Sequence, residues 1–275
     1  MRIDFTKMNG AANDFVMIDD RSEFVELTSE QIRSICDRRR GVGSDGLILI
    51  RKDPESDFHM SYFNSDGYPA EMCGNGSRCS AYFATTLGLG QREGDVVRLL
   101  FSTDSGPIRA MVAGRQATLD MMDARDMRMD IPVRVAQTEK IAHFMIVGTR
   151  HAVVFVDAVR ELTGSDIIEL GRAIRNDRAF EPAGVNVNFA SVDETGAVYL
   201  RTYEKGVEAE THACGTGSVA SAVLLAHLGR LQSPITVMQH SGDALVVTFE
   251  PVPGGAKNVT LEGPVEVNFT GSLDL

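Results

Sequence analysis

The amino-acid sequence predicts an α/β (α+β) protein of two pseudo-symmetric domains, each a curved, mostly antiparallel sheet or barrel wrapped around a central helix. A Cys-Gly-x-Gly-Ser run occurs twice, at positions 73–77 and 214–218, which are 141 residues apart in a chain of 275. The segments 73–88 and 214–229 are identical at 8 of 16 positions, which indicates two copies of one unit. Many short strand-like segments surround one helical segment in each copy, and this pattern favours a curved sheet around a buried helix.

The segments before each cysteine also correspond between the two halves. Residues 10–19 resemble residues 148–157, and both predict a turn followed by a strand rich in β-branched and aromatic residues. A polar helix is predicted next, around 28–39 and 164–176, the first with a capping sequence at its start. Two further strands precede the cysteine in each half, at 46–50 and 58–63 in the first and at 185–189 and 198–203 in the second.

Alternating segments resume after each cysteine and set the predicted domain limits. The predicted strands are 96–101 and 108–112 in the first half, and 235–238, 244–249 and 259–261 in the second. The division is predicted near Gly114-Arg115-Gln116, before a strand at 117–121. The strand at 265–269 has no counterpart before this boundary, so we expect it to return to the first half. The predicted domains are therefore 1–116 plus 264–275, carrying Cys73, and 117–263, carrying Cys214.

Composition restricts the classes of partner. The formal net charge of −11 opposes binding to nucleic acid or to an anionic membrane, since both need a basic face. No apolar run approaches the roughly 18 residues of a membrane span, and the first residues lack the apolar stretch of a signal peptide. Four cysteines are too few for a disulfide scaffold. We therefore expect a cytoplasmic protein that keeps its cysteines as thiols and has neither nucleic acid nor a membrane as its partner.

The repeated cysteines predict a pair of acid/base groups. A helix that begins at Cys-Gly-x-Gly presents unpaired backbone N–H groups and the positive end of its dipole, which favour a bound carboxylate and a thiolate. If the halves face each other, a carboxylate held between the helix ends would place its α-carbon between Cys73 and Cys214. One thiolate would remove the α-proton and the opposite thiol would return one, without a cofactor or a metal.

Other interpretations of the cysteines exist. Cys36 and Cys79 are expected to be small buried side chains. A zinc site of Cys73, Cys79, His212 and Cys214 is conceivable, although no Cys-x-x-Cys pair is present. Gly-x-Gly-Ser can bind phosphate, but no Gly-Lys-Ser/Thr follows it. A cysteine–histidine nucleophile would need only one cysteine and would leave the second copy unexplained.

Several motifs in this order resemble those of the diaminopimelate epimerases, two-cysteine enzymes that use no pyridoxal phosphate. The resemblance covers nearly the whole chain and is carried by the two cysteine runs and by residues 7–15, 43–47, 63–67 and 203–206. It implies two pseudo-symmetric α/β domains with the active site at their interface. The implied reaction interconverts LL- and meso-diaminopimelate, on the bacterial route to lysine and peptidoglycan. The resemblance also implies a homodimer.

The resemblance assigns roles to individual positions. Cys73 and Cys214 match the acid/base thiols. His151 and Glu204 match positions that tune these thiols, which is reasonable because a base can deprotonate a sulfur and a carboxylate can order its partner. The positions that match substrate-binding residues, including the helix ends that hold the reacting carboxylate, are Asn13, Gly46, Asn64, Gly74, Asn75, Asn186, Glu204, Lys205, Gly215 and Thr216.

The chain departs from the family pattern where the distal end of the substrate is recognised. Thr149 and Arg150 stand in place of the usual Asn-Pro, Lys205 stands in place of an arginine, and Ala209 in place of a glycine. Lysine keeps the positive charge but lacks the planar fork that grips a carboxylate, a fork that Arg150 could supply.

These departures favour one alternative function, a cofactor-independent racemase or epimerase of another amino acid, for example histidine, on the same fold. A second alternative does not depend on the departures: it is a non-catalytic carboxylate-binding protein, which would need neither thiol.

Overall fold

A computed structural model describes residues 2–70 and 73–274. It confirms a mixed α/β fold in which strands greatly outnumber helices. In chain order the elements are β1 (Arg2–Gly10), β2 (Asn13–Asp20), α1 (Ser29–Cys36), β3 (Gly46–Arg51), β4 (Phe58–Asn64), α2 (Gly74–Thr86), β5 (Gln91–Glu93), β6 (Val96–Thr103), β7 (Gly106–Ala113), β8 (Gln116–Asp120), β9 (Arg125–Val135), β10 (Thr138–Val147), β11 (Thr149–Phe155), α3 (Gly164–Arg175), β12 (Asn186–Val192), β13 (Val198–Glu204), β14 (Ala209–Thr211), α4 (Gly215–His227), β15 (Ile235–Met238), β16 (Ala244–Val252), β17 (Gly255–Pro264) and β18 (Glu266–Asp274).

The chain folds into two compact units. The first comprises Met1–Asp120 and Glu262–Leu275, and the second comprises Met121–Leu261. Strand β18 pairs antiparallel with β1, so the last strand belongs to the first unit. Strand β8 pairs antiparallel with β7 and also belongs to the first unit, whereas the sequence analysis assigned this strand to the second half. A tight turn joins β7 to β8, and the hydrogen bonds of this hairpin keep the strand with its own sheet.

Strand pairing repeats in the two units, which supports the duplication inferred from the sequence. In the first unit β2 pairs parallel with β3, β3 antiparallel with β4, and β4 parallel with β6. In the second unit β11 pairs parallel with β12, β12 antiparallel with β13, and β13 parallel with β15. The hairpins β6–β7 and β15–β16 follow in the same positions and are antiparallel.

The helices α2 and α4 are the centres of their units. Helix α2 contacts β1, β2, β3, β4, β7 and β8, and helix α4 contacts β10, β11, β12, β13, β15 and β16. Burial of α2 extends from Asn75 to Ala84, and burial of α4 extends from Gly217 to Leu225, with nearly every residue in each stretch enclosed. A helix buried on all sides must be surrounded by its sheet. Its many Gly, Ala and Ser residues make it narrow enough to fit.

Strands β9 and β10 were not predicted from the sequence. Strand β9 carries charged side chains at alternating positions, and most of its residues are exposed. Asp126 and Asp130 adopt positive φ, which interrupts the regular strand. Pairing with β10, not local preference, holds this strand in place.

Along the two described stretches of chain, 2–70 and 73–274, we find no helix whose length and hydrophobicity would allow it to span a bilayer.

A pair of glycine substitutions tests the close approach between α4 and its sheet. A Cβ atom at Gly217 would lie 2.1 Å from Asn188 Oδ1, and Asn188 is fully buried. Because this amide cannot move away, we expect Gly217→Ala to lower the free energy of unfolding by about 2 kcal/mol. Urea denaturation measures the change.

Gly74→Ala is the matched control, since a Cβ at Gly74 meets no atom within 4 Å. We expect its free energy of unfolding to stay within about 1 kcal/mol of wild type. Equal losses in the two variants would contradict the packing described here.

Candidate active site

Each repeated cysteine is the N-cap residue of the central helix of its unit, as the sequence predicted. Cys73 and Cys214 have extended backbones, with φ of −134° and −135°, immediately before α2 and α4. Cys73 Sγ accepts a hydrogen bond from Gly76 N at 3.5 Å, and Cys214 Sγ accepts one from Gly217 N at 3.3 Å. A sulfur atom therefore occupies the position where serine or aspartate oxygen usually caps a helix. The helix end favours negative charge on that sulfur.

In the first unit, Asn13 connects Cys73 to its surroundings. Asn13 Oδ1 accepts hydrogen bonds from Cys73 Sγ at 3.4 Å and from Asn75 Nδ2 at 3.3 Å. Its own Nδ2 donates to Asp45 Oδ2 at 2.7 Å. The structure thus brings together three of the predicted site residues: Asn13, Cys73 and Asn75.

A charged network that the sequence analysis did not assign holds Asn13 from behind. Arg38 binds both Asp45 and Asp14, each at 2.7 Å. Lys7 is buried and pairs with Asp14 at 2.6 Å. Burial alone would raise the pKa of Asp14, but hydrogen bonds from Arg38 and Lys7 lower it to about 2. The clue in the sequence was that Lys7, Asp14 and Asp45 lie within the motifs at 7–15 and 43–47.

Gly46 and Asn64, both predicted to bind substrate, lie opposite each other on β3 and β4. Asn64 is exposed, and its Oδ1 accepts a hydrogen bond from the Tyr62 hydroxyl at 2.9 Å. A Cβ at Gly46 would lie 2.6 Å from Phe63 O and from the Tyr62 ring. Packing of β4 thus requires glycine at position 46 whether or not its backbone contacts a ligand.

In the second unit, a buried amide determines which nitrogen of His151 carries the proton. Asn188 Oδ1 accepts a hydrogen bond from Thr202 Oγ1 at 3.0 Å, and Asn188 Nδ2 donates to Ala152 O at 3.2 Å. These partners fix the orientation of the amide, so the Nδ2 group that lies 3.1 Å from His151 Nδ1 is a donor. His151 Nδ1 must therefore accept, and its proton resides on Nε2.

His151 is consequently arranged as a neutral hydrogen-bond donor. Burial lowers its pKa to about 3. Among the residues that the structure describes, Nε2 has no hydrogen-bond partner, although it is buried. The family resemblance predicts that His151 tunes a thiol, for which a base would be suited, but Asn188 donates to Nδ1, the one nitrogen that could accept a proton. Side chains along residues 185–189 alternate between the two faces of β12, so Asn188 lies on the same face as Asn186. This alternation is the feature of the sequence that could have identified Asn188.

Asn186, Glu204 and Lys205 lie together at the ends of β12 and β13. Asn186 Oδ1 accepts a hydrogen bond from Lys205 N at 2.8 Å. Burial raises the pKa of Glu204. The Lys205 ammonium lies 3.4 Å from Ala183 O, so its charge is directed to a neighbouring loop.

Thr149 and Arg150, where the sequence departs from the family pattern, begin β11. Thr149 pairs with Val147 across the turn from β10. The Arg150 guanidinium carbon lies 5.2 Å from the centre of the Phe144 ring, and its Nε is buried without a partner among the described residues. The Arg150 guanidinium, which was expected to bind a substrate carboxylate, thus lies over an aromatic ring.

The remaining predicted positions form the first turn of α4. Thr216 Oγ1 lies 3.7 Å from Cys214 Sγ. A Cβ at Gly215 would lie 2.7 Å from Leu261 Cδ2, so the helix start packs tightly on its own sheet. Gly74 has no such neighbour, and its backbone is open at the start of α2.

The zinc alternative gains no support from the structure. Within residues 2–70 and 73–274, no group of three or more His, Cys, Asp or Glu side chains is arranged to hold a metal ion.

Two surface cavities, of about 300 and 250 Å³, lie in the second unit, and neither is lined by a predicted site residue.

Comparison with known proteins identifies the family. The family profile described as Diaminopimelate epimerase matches residues 5–125 and 144–263. The chain belongs to the diaminopimelate epimerase family. A relative of that name from Chlorobaculum tepidum is 37% identical, over 98% of this chain and 100% of its own length. Another from Aquifex aeolicus is 39% identical, over 98% of both chains.

Solved structures show the same fold at much lower sequence identity. A hydroxyproline epimerase from Agrobacterium vitis, solved with trans-4-hydroxy-L-proline bound, superposes with a TM-score of 0.74 at 17% identity. The match covers 99% of this chain and 91% of the epimerase. The two-domain architecture expected from the family is thereby confirmed.

The state of His151 predicts a loss of stability in mild acid. Its pKa is lower in the folded protein, about 3, than its ordinary value of 6.5, so the unfolded chain binds the proton first as the pH falls. The contribution of His151 to stability is therefore complete above pH 6.5 and declines below it. We expect wild type to lose about 1 kcal/mol more than His151→Gln between pH 7.5 and 5.5. Urea denaturation at both pH values measures this difference, and equal losses would show that His151 is not held neutral.

Proposed function

We infer that this protein is an isomerase that interconverts LL- and meso-diaminopimelate, on the bacterial route to lysine and peptidoglycan. The observation that carries this inference is the N-cap cysteine of the central helix in both units of a diaminopimelate epimerase family member. Relatives with that name match essentially the whole chain.

The mechanism we propose is proton transfer by two thiols. One of Cys73 and Cys214, as thiolate, removes the α-proton of the substrate, and the other, as thiol, delivers a proton to the opposite face. The α-carbon is thereby inverted and the two sulfurs exchange protonation states, so charge and protons balance. The N–H groups of Gly74, Asn75, Gly215 and Thr216 stabilise the carboxylate as it becomes enediolate-like, each worth on the order of 3 kcal/mol.

The other predicted residues support the two thiols and bind the substrate. Asn13 accepts a hydrogen bond from Cys73, so it orients that thiol in its protonated form. We propose that His151, as a neutral donor through Nε2, and Glu204, whose pKa burial raises, tune the two thiols. We assign the binding of the substrate's polar groups to Asn13, Gly46, Asn64, Asn186, Glu204 and Lys205.

A second candidate function is racemisation or epimerisation of another amino acid. It is favoured by one observation: at the positions that recognise the distal end of diaminopimelate, Arg150 lies over Phe144 and Lys205 is bound to Ala183. Neither cation has the free planar fork that grips a carboxylate. The inversion chemistry would be the same, and only the distal contacts would differ.

We further propose that each compact unit is one epimerase half, and that the protein is a cytoplasmic homodimer. The family resemblance and the small-molecule substrate support this assignment. Sedimentation of the purified protein distinguishes one chain from two, and cell fractionation tests the location.

Isotope exchange tests the two-thiol mechanism. In D2O, wild type should incorporate deuterium at the α-carbon while it converts LL- to meso-diaminopimelate. We expect Cys73→Ala and Cys214→Ala each to reduce the rate of epimerisation at least ~100-fold, because each removes an acid/base group. Cys36→Ala is the matched control, since Cys36 is a buried thiol at the end of α1 that accepts a hydrogen bond from Ser44 and caps no helix start. Undiminished exchange and inversion in both variants would exclude the mechanism.

A substrate panel separates the two candidate functions. We expect diaminopimelate to have the highest kcat/KM among free amino acids. Lys205→Met should raise the KM for diaminopimelate about tenfold, since it removes a cation that we assign to substrate binding. Lys257→Met, at an exposed lysine of β17, should leave KM unchanged. Faster turnover of a substrate without a distal carboxylate would favour the second candidate.

A further inference from the structure

We propose that Gln239 is a positioning residue for the Cys214 thiol. This inference rests on the acid/base role proposed for Cys214. Gln239 follows β15 directly, is only 5% exposed, and lies beside the start of α4.

The side chain of Gln239 closes a ring of hydrogen bonds around the N-cap residue. Gln239 Oε1 accepts from Cys214 N at 3.1 Å, and Gln239 Nε2 donates to Ser218 Oγ at 2.9 Å. Ser218 Oγ in turn donates to Cys214 O at 2.8 Å. A further bond from Nε2 to Val237 O, at 3.1 Å, fixes the amide on the strand. Each N–H and O–H group in this ring has an acceptor, so the positions of Oε1 and Nε2 in the Gln239 amide are determined.

This ring holds both peptide groups of Cys214. With the backbone N–H and C=O of Cys214 both anchored, the main freedom left to the thiol is rotation about χ1. The sulfur can then maintain its hydrogen bond from Gly217 N and meet a substrate in one geometry. Without Gln239 the buried Cys214 N–H would have to find another acceptor, and the cap would shift.

The equivalent position of the first unit does something different. By strand register, Val237 lies opposite Val198 as Phe101 lies opposite Phe58, so Thr103 is the counterpart of Gln239. Thr103 Oγ1 donates to Gly106 O at 2.8 Å, within its own turn. The counterpart of Ser218 is Ser77, whose hydroxyl lies 3.7 Å from Met60 Sδ. The ring of hydrogen bonds through Gln239 therefore belongs to the second unit, and different side chains hold the starts of α2 and α4.

Alkylation of the reduced full-length protein tests the proposal without any substrate. Iodoacetamide labelling across a pH series, followed by peptide mapping, reports the pH of half-maximal reaction for Cys73 and Cys214 in the same sample. In Gln239→Met, which keeps the length of the side chain but loses its hydrogen bonds, we expect the midpoint of Cys214 to rise by about half a pH unit or more. The midpoint of Cys73 should stay unchanged. Thr103→Val is the matched control and should alter neither thiol.

Kinetics provide a second readout. We expect Gln239→Met to lower kcat for diaminopimelate about tenfold with KM within about twofold, as for a misplaced catalytic group. Ser218→Ala opens the ring but leaves the hydrogen bond from Cys214 N to Gln239. It should shift the labelling midpoint of Cys214 in the same direction by a smaller amount. This variant replaces Gln239→Met in the test if Gln239→Met does not fold.

Two outcomes would overturn the inference: unchanged midpoints for both thiols, or equal shifts for Cys73 and Cys214, which would indicate general loosening of the fold. A shift confined to Cys214 supports it even if wild type fails to epimerise diaminopimelate. Failure of the proposed function is therefore distinguishable from failure of this inference.

Discussion

The hydrogen bond from a glycine N–H to a cysteine sulfur at the start of each central helix is the interaction on which the site depends. Helices α2 and α4 are buried along most of their length, and at each start one of the first N–H groups donates to a cysteine sulfur. Cysteine is a poor cap as a neutral thiol and a good one as a thiolate. In both units the fold thus satisfies a backbone donor at the start of a buried helix with a sulfur atom.

The surroundings of the two sulfurs differ in chemistry although the units share one topology. Around Cys73 the support is ionic: Asn13 is held by Asp45, which is held by Arg38. Around Cys214 the support is neutral, and amides and hydroxyls satisfy one another in buried positions. A reaction that needs one proton donor and one proton acceptor at a time is compatible with such unequal surroundings. The two helix starts share one topology, and residues such as Gln239 and its counterpart Thr103 make their surroundings distinct.

Much of the fold followed from local sequence. The helix starts at Gly74 and Gly215 were predictable because Cys-Gly-x-Gly-Ser occurs twice before a small-residue segment. Strand β15 was predicted with its observed limits because three consecutive β-branched residues, at 235–237, favour a strand there. Strand β9 was not, since its stability comes from pairing with β10 and its own residues are mostly polar. The hairpin that assigns β8 to the first unit is likewise a matter of which strand it pairs with.

By itself, the sequence determined the duplicated unit, the two thiols at helix starts and the family, because these depend on residue identity and spacing. Only the tertiary structure decided which side chains support the thiols. Asn188 and Gln239 are separated from His151 and Cys214 by 37 and 25 residues, and they act through hydrogen bonds whose direction depends on buried neighbours. The protonation of His151 shows most clearly why the sequence alone could not identify the role of a side chain. A histidine in a sequence can be a base, an acid or a donor, and here the orientation of one buried amide makes it a donor.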